Sequence, residues 1–463
     1  MKKNVYLFLW LIVFAIILVG TIRFLGIPVI LEQPIQTADE SLASPEIKLL
    51  AQAASADSIK DFLGADSSAI HLKIYGVMGV FSMISIPIMF LLKKQSKNLF
   101  KSPVFYGALW IFFVFFSNTK TLSTGLSYPT TIHLLLCFMC FLMGYTILSH
   151  ANIRYLLWIL SLALIPVLFA AFQQHYGGLE EVRKSVFEII PPEKLPEDLF
   201  RRLTSNRVFG TMIYPNSLAG LLMLLLPPCL CSLWQLPAKI PPMIRLLCVG
   251  ILGYIGIATL YWTGSKTAWL ILIGLGITIL FLKTKLSLKI KTVISISILC
   301  IGLTGFGIVF SDYFKRGATS VSARFDYWNA AVLNIKNHPF MGSGPGTFAI
   351  PYHFSKRPES EMAKLCHNDY LEQASDSGIP AAAAYLAFWG CCLYHIWRRY
   401  KTISPLQLSI ILGISTFALQ ALTEFSLYIP AIAWVAFALL GYTVYQARFP
   451  SLPTCSSEKE IRL

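Results

Sequence analysis

The feature that most constrains this chain is a series of apolar runs, each long enough to cross a lipid bilayer. Twelve such runs lie at about 5–22, 74–92, 103–117, 130–148, 155–173, 213–234, 245–262, 268–282, 292–310, 379–397, 406–423 and 427–447. About 20 helical residues cross roughly 30 Å of hydrocarbon. Because backbone groups in lipid must bond internally, uniformly apolar runs favour helices over the alternating strands of a barrel. The sequence therefore predicts an all-α polytopic integral membrane protein, with about twelve transmembrane helices in a single transmembrane domain over 1–463.

The composition excludes a soluble globular protein, because 56% of the residues are hydrophobic and only 13% are charged. The net charge of +15 is not a nucleic-acid signature, since the basic residues occupy short loops at alternate helix ends. These residues are Lys2, Lys3, Lys93, Lys94, Lys97, Lys101, Arg154, Lys239, Arg245, Lys283, Lys285, Lys289, Lys291, Arg398, Arg399 and Lys401. Short basic loops stay cytoplasmic, so we expect both termini to be cytoplasmic.

Nearly all the acidic residues lie in the other set of loops, at 31–73, 174–210 and 311–377. The charge rule places these three loops outside, and the largest joins helices nine and ten. Within it, Phe325, Trp328, Val332 and Ile335 have helical spacing, which predicts a helix over 325–337. The proline of Asn337-His-Pro339 ends that helix.

The glycine pattern Gly342-x-Gly344-x-Gly346 lies in the largest loop. Thr347 stands where a dinucleotide fingerprint needs its third glycine, and no βαβ pattern surrounds the motif. We therefore interpret it as a tight turn that brings backbone close to another element, with no nucleotide cofactor.

Histidines in the outer loops show no metal-ligand spacing such as H-x-x-x-H, so we expect no metal site. His367 differs from the others because Asn368 follows it and an acidic helix start leads into the tenth apolar run. That start contains Asp369, Glu372 and Asp376. A neutral imidazole at a membrane surface can accept a proton from a hydroxyl group, although a lone histidine is more often structural.

Three outward cations form the other candidate group: Arg207, Lys266 and Arg324. Lys266 lies in the short turn between two apolar runs, which indicates either a bound anion or contact with lipid headgroups. Three cations at one membrane face would suit a lipid-linked diphosphate, whose leaving group needs its charge neutralised. Glu424 is the only acid that the pattern places close to the hydrocarbon, where it could orient a cation or act as a second base.

Taken in order, these pieces resemble the O-antigen ligase/polymerase superfamily of bacterial surface-polysaccharide assembly. The resemblance covers about 200–378 and rests on several short motifs. They are Arg207-x-x-Gly210 with Pro215-Asn216, Gly264-Ser-Lys-Thr-Ala-Trp269, Arg324-x-x-x-Trp328, His338-Pro-Phe-Met-Gly342-x-Gly344, and His367-Asn368 followed nine residues on by Gly378. Lys266 stands where the family usually has Arg, which keeps the charge but loses the forked guanidinium.

The resemblance implies a metal-independent, inverting glycosyltransferase without a cofactor, acting at the periplasmic face of the bacterial inner membrane. The donor would be a glycan linked to a polyprenyl diphosphate such as undecaprenyl diphosphate, and the acceptor a lipid or a glycan. His367 would be the catalytic base, Arg207, Lys266 and Arg324 would bind the diphosphate, and Asn368 and Glu424 would support them. A protein acceptor, as in a protein O-oligosaccharyltransferase of the same superfamily, stays open.

Two rivals come from other classes. A twelve-span solute or anion transporter would place ionisable residues near the bilayer midplane on broken helices. Here the apolar runs are nearly free of charge and the polar candidates gather at one face, which favours surface chemistry. A non-catalytic scaffold in a polysaccharide complex is the third possibility.

Overall fold

The computed structural model describes residues 2–29, 68–92, 102–189, 191–194, 200, 203–309, 319–357, 360 and 362–449. These ranges are helical and contain no strand. Most of the predicted outer loop 31–73 lies outside them, as do 310–318.

The α-helices of these ranges are numbered α1 to α15 in chain order. They are α1 (Lys2–Phe24), α2 (Ser68–Leu92), α3 (Pro103–Ser117), α4 (Thr124–Thr146), α5 (Ile153–Gln173), α6 (Leu179–Ile189), α7 (Pro215–Trp234), α8 (Pro242–Trp262), α9 (Lys266–Lys283), α10 (Leu288–Val309), α11 (Thr319–Asn337), α12 (Ala349–Ser355), α13 (Asp369–Trp397), α14 (Pro405–Gln420) and α15 (Pro430–Arg448).

Each of the twelve predicted apolar runs falls on one of these helices. Within the described ranges, α1, α4, α5, α7, α8, α13 and α15 are long and apolar enough to cross a membrane, and α2, α9 and α14 contain shorter apolar stretches. The prediction of an all-helical polytopic membrane protein is therefore confirmed. The count of twelve crossings stays a prediction.

The core of the bundle is the pair formed by α4 and α15, the two most buried of the seven long apolar helices. Gly144 of α4 lies against the carbonyl of Ala438, and Gly441 of α15 lies against the carbonyl of Phe141. A Cβ atom at either glycine would collide with the facing backbone, so these small residues allow the two helices to approach closely. Around this pair, α3 packs along α13 and α7 packs along α14.

Several helix ends meet at one face of the bundle, which we call the site face. The Ala431 amide at the start of α15 donates to the carbonyl of Leu25, just after α1. The Val208 amide donates to the carbonyl of Trp262 at the end of α8. Because α1 ends and α15 begins here, the start of α1 and the end of α15 lie at the opposite face. This arrangement agrees with termini that share one side, while the compartment on each side stays a prediction.

The described residues between α10 and the second half of α13 include α11, α12 and the first turns of α13. The helix predicted over 325–337 is confirmed as α11, which starts earlier, at Thr319, and ends at Asn337 as expected. Helix α13 begins at Asp369, well before the predicted apolar run at 379. Gly378 interrupts it with non-helical angles of φ 85° and ψ 166°, so the first two turns form a separate piece above the apolar run.

Candidate functional site

His367 lies in a left-handed turn immediately before α13. Its φ of 54° makes it the one non-glycine residue with positive φ in the described ranges. The next residue, Asn368, caps α13, because its side-chain oxygen accepts from the amides of Tyr370 and Leu371 at 3.1 and 3.0 Å. A strained histidine between fixed neighbours is a feature that clusters at functional sites.

Aromatic rings and a carboxylate fix the imidazole of His367. Tyr327 of α11 stacks on it with ring centroids 5.7 Å apart, and Phe425 meets it edge-on at 4.7 Å. Its Nδ1 atom lies 3.4 Å from Oε2 of Glu424, a contact that is longer and less aligned than a hydrogen bond. Since Nδ1 is buried, Nε2 is the ring nitrogen left for an external partner.

Glu424 lies in the turn between α14 and α15 and is almost fully buried. Its Oε1 atom accepts from Nη2 of Arg324 at 2.5 Å and from Nδ2 of Asn216 at 2.6 Å. Burial raises the pKa of Glu424, but Arg324 and His367 outweigh it, so the pKa lies below its ordinary value. The carboxylate is therefore a fixed negative charge between a guanidinium and an imidazole.

Arg207 joins the same network from the segment before α7. Its Nη2 atom donates to Oδ1 of Asn216 at 2.6 Å, and its Nε atom donates to the carbonyl of Thr263 at 2.6 Å. Burial lowers the pKa of Arg207, Glu424 opposes that shift, and Arg324 adds to it. Asn216 thus bridges Arg207 to Glu424 by using both ends of its amide.

Lys266 is half-buried and opens α9, directly after the turn that contains Thr263. That turn is the one whose carbonyl accepts from Arg207, and a Cβ atom at Gly264 within it would approach the Arg207 side chain. The structure therefore brings Arg207, Arg324, Glu424 and His367 into one network and places Lys266 on the turn beside it. The chemical roles of these residues stay predictions.

The glycine motif packs against the break in α13. Gly342, Gly344 and Gly346 all have positive φ, at 65°, 109° and 75°. The Gly344 amide donates to the carbonyl of Asp376 at 2.8 Å, and the Ile379 amide donates to the carbonyl of Pro339 at 2.8 Å. A Cβ atom at Gly342 would collide with the backbone of Asp376. The interpretation of this motif as a tight turn against another element is confirmed.

One expectation about acidic residues needs correction. Asp369, Glu372 and Asp376, at the acidic start of α13, are fully buried. Glu424 is consequently not the only acid near the apolar core. The sequence did not show this burial, because it depends on three loops that fold back over the first turns of α13.

Sequence reasoning also gave no role to Asn216, Tyr327 or Phe425, which complete the surroundings of Glu424 and His367. Asn216 carried a signal, since it belongs to the Pro215-Asn216 motif.

In the described ranges, no three His, Cys, Asp or Glu side chains are grouped as metal ligands are, and metal independence stays a prediction. Two polar cavities that the structure contains lie at the opposite face, beside Arg154 and Arg399, apart from this network.

The fold and this network define a polytopic helical membrane protein with a cationic, histidine-containing site at one end of the bundle. Residues 251–386 match the family model described as O-antigen ligase, which confirms the resemblance to the O-antigen ligase/polymerase superfamily. A search of curated proteins finds no match to this chain. The matched stretch includes Lys266, Arg324 and His367, whereas Arg207, Asn216 and Glu424 join it from outside.

The family match supports an O-antigen ligase/polymerase type of function in polysaccharide biosynthesis. It indicates a glycosyl-transferring, multi-pass membrane enzyme that uses a lipid-linked glycan donor and an acceptor in the membrane.

Proposed function

We propose that this protein transfers a glycan from a polyprenyl diphosphate to an acceptor hydroxyl at the outer face of the inner membrane, with both of its termini in the cytoplasm. The observation that carries the proposal is the Glu424 carboxylate, which contacts His367 through one oxygen and Arg324 through the other. A base and the cations for a leaving group are thereby held by one buried side chain.

In the proposed reaction, Nε2 of His367 takes the proton of the acceptor hydroxyl as its oxygen attacks the anomeric carbon. The bond from that carbon to the diphosphate oxygen breaks, and the diphosphate leaves with the electron pair, which inverts the anomeric configuration. Glu424 stabilises the imidazolium that forms, as the carboxylate of a catalytic triad does. General-base catalysis of this kind contributes roughly 10²–10⁴-fold.

The three cations supply the positive charge that the diphosphate leaving group needs. Arg207, Lys266 and Arg324 carry three positive charges and Glu424 carries one negative charge, which leaves two positive charges for the diphosphate. Preorganised charges in a water-poor site act where negative charge develops and need no reorganisation during the reaction. The two arginines are preorganised in this sense, because Asn216, Thr263, Thr423 and Glu424 already hold them.

The ionisable groups of the network gather at one end of the bundle. This distribution supports surface chemistry over a transport pathway, which would need such groups near the midplane. The acceptor stays open between a lipid, a growing glycan and a protein hydroxyl.

An in vitro transfer assay with EDTA present throughout tests the proposal. Purified protein in detergent receives a polyprenyl-diphosphate glycan, with lipid A-core, an acceptor protein or no added acceptor. We expect His367→Ala to abolish the product, and His353→Ala, which removes an exposed histidine on α12, to leave it unchanged. Product on lipid A-core would indicate a ligase, longer glycan from donor alone a polymerase, and glycosylated protein an oligosaccharyltransferase. Folded wild-type protein that transfers to none of them would contradict the proposal.

A further inference from the structure

Three buried acids at the start of α13 each accept a hydrogen bond from a different loop. Asp369, Glu372 and Asp376 are spaced by three and four residues, so they share one helix face, and all three are fully buried. Asp369 accepts from the Leu427 amide at 2.8 Å, Glu372 from the Cys366 amide at 3.1 Å, and Asp376 from the Gly346 amide at 2.7 Å.

These three loops build the candidate site. Leu427 follows Glu424 in the turn between α14 and α15, and Cys366 directly precedes His367. Gly346 leads into α12, whose Tyr352 meets Tyr327 edge-on, and Tyr327 stacks on His367. Because the three carboxyl groups lie on one rigid helical segment, they fix the three loops relative to one another.

Glu372 acts nearest to His367. The left-handed backbone at His367 persists only if its surroundings hold it in place. Downstream, Asn368 caps α13, and its carbonyl accepts from the Glu372 amide at 2.9 Å and from the Cys366 thiol at 3.2 Å. Upstream, the bond from the Cys366 amide to Oε2 of Glu372 is the matching anchor. One residue therefore ties both sides of the histidine turn, through its main chain and its side chain.

We propose that Glu372 is a positioning residue for His367, an inference that rests on the proposed function. Its carboxyl oxygen holds the Cys366 amide, and with it the backbone turn that directs the imidazole between Tyr327, Phe425 and Glu424. The Glu372 side chain supplies an acceptor oxygen at the distance from the α13 backbone that the Cys366 amide requires. Its other oxygen, Oε1, has no hydrogen-bond partner in the part of the chain that the structure describes.

Changing the length of the Glu372 side chain distinguishes a positioning role from a general effect on stability. Glu372→Gln keeps a carbonyl oxygen at the same distance, whereas Glu372→Asn keeps the same amide chemistry one methylene short of the Cys366 amide. In protein of equal folded fraction, we expect Glu372→Gln to retain kcat within about threefold. We expect Glu372→Asn to lower kcat about 100-fold, the cost of a displacement near 1 Å at a reacting group. The KM for the donor should stay within about twofold in both variants.

A second measurement needs no substrate. The rate at which diethyl pyrocarbonate modifies His367, followed by peptide mass spectrometry, should change in Glu372→Asn and stay at the wild-type value in Glu372→Gln. Glu188→Asn, the same substitution at an exposed carboxylate of α6, is the control and should leave this rate unchanged.

Equal kcat values and equal modification rates for the Gln and Asn variants would overturn the positioning role. So would a loss in Glu372→Gln as large as that in Glu372→Asn. Wild-type protein that transfers no glycan would contradict the proposed function instead, and the modification rates would still test the positioning of His367.

Discussion

Oε2 of Glu424 lies 3.4 Å from Nδ1 of His367. The two residues are far apart in the sequence, because His367 directly precedes α13 and Glu424 follows α14. The other oxygen of the same carboxylate accepts from Arg324 at 2.5 Å. The proposed base and one proposed diphosphate ligand therefore share a single buried anion. A change at Glu424 must affect both of them, in directions that kinetics can separate.

Removing the negative charge of Glu424 tests whether this carboxylate serves both His367 and Arg324. We expect Glu424→Gln to lower kcat by at least about 10²-fold, since a general base and its orienting carboxylate contribute on this scale. The KM for the donor should not rise, because the cations lose a competing anion. Steady-state kinetics with a polyprenyl-diphosphate glycan measures both. Glu188→Gln, at an exposed carboxylate of α6, is the control, and a higher KM with unchanged kcat in Glu424→Gln would contradict the prediction.

The forked guanidinium of Arg324 makes two contacts that a lysine cannot reproduce. Its Nε atom donates to the carbonyl of Thr423 at 3.0 Å, while Nη2 reaches Glu424. We expect Arg324→Lys to lower kcat/KM by about 10-fold or more, because Lys presents one compact ammonium group. Arg357→Lys is the matched control, since Arg357 is 67% exposed and lies 3.6 Å from Asp326. Similar losses in both variants would show that the paired geometry at Arg324 is unimportant.

The lowered pKa of Glu424 predicts the pH range in which its ion pair with Arg324 stabilises the fold. Burial raises this pKa, but Arg324 and His367 outweigh it. A carboxyl group whose pKa is lowered by folding contributes stability above its unfolded pKa, near 4.3, and loses it as pH falls through the folded value.

The difference in thermal midpoint between wild type and Glu424→Gln should therefore be present at about pH 5.5 and shrink below about pH 4. Thermal unfolding in detergent across this range measures it. A difference that does not shrink below about pH 4 would contradict the prediction.

The break in α13 requires glycine at position 378. The φ of 85° is unfavourable for a side chain, and a Cβ atom there would collide with the carbonyl of Phe340. We expect Gly378→Ala to destabilise the protein by at least about 1–3 kcal/mol, the cost of a strained backbone. Gly274→Ala is the control, because it lies inside α9 with open space around it and alanine favours a helix. Thermal midpoints that fall equally in both variants would contradict this explanation.

Several structural features of this protein follow from the sequence alone. The twelve apolar runs predict the positions of the apolar helices, because hydrocarbon forces the backbone to bond within each segment. Pro339 marks the end of α11 at Asn337, since His338, the residue before the proline, avoids helical angles. The glycine spacing around Gly344 indicates a tight turn, because positive φ is open to glycine and costly for other residues. Each of these signals is local in the chain.

The tertiary structure alone decided what the polar residues contact. Asn216 and Glu424 meet only because α7 packs along α14, and nothing near either residue in sequence records that pairing. Asp369, Glu372 and Asp376 form an acidic helix start in the sequence, yet the segment just before the helix and loops from two distant parts of the chain cover them and donate amides to their oxygens. Burial and hydrogen bonding are properties of the packed chain, so an acid that belongs on a surface by its neighbours in sequence can lie in the interior once those loops close over it.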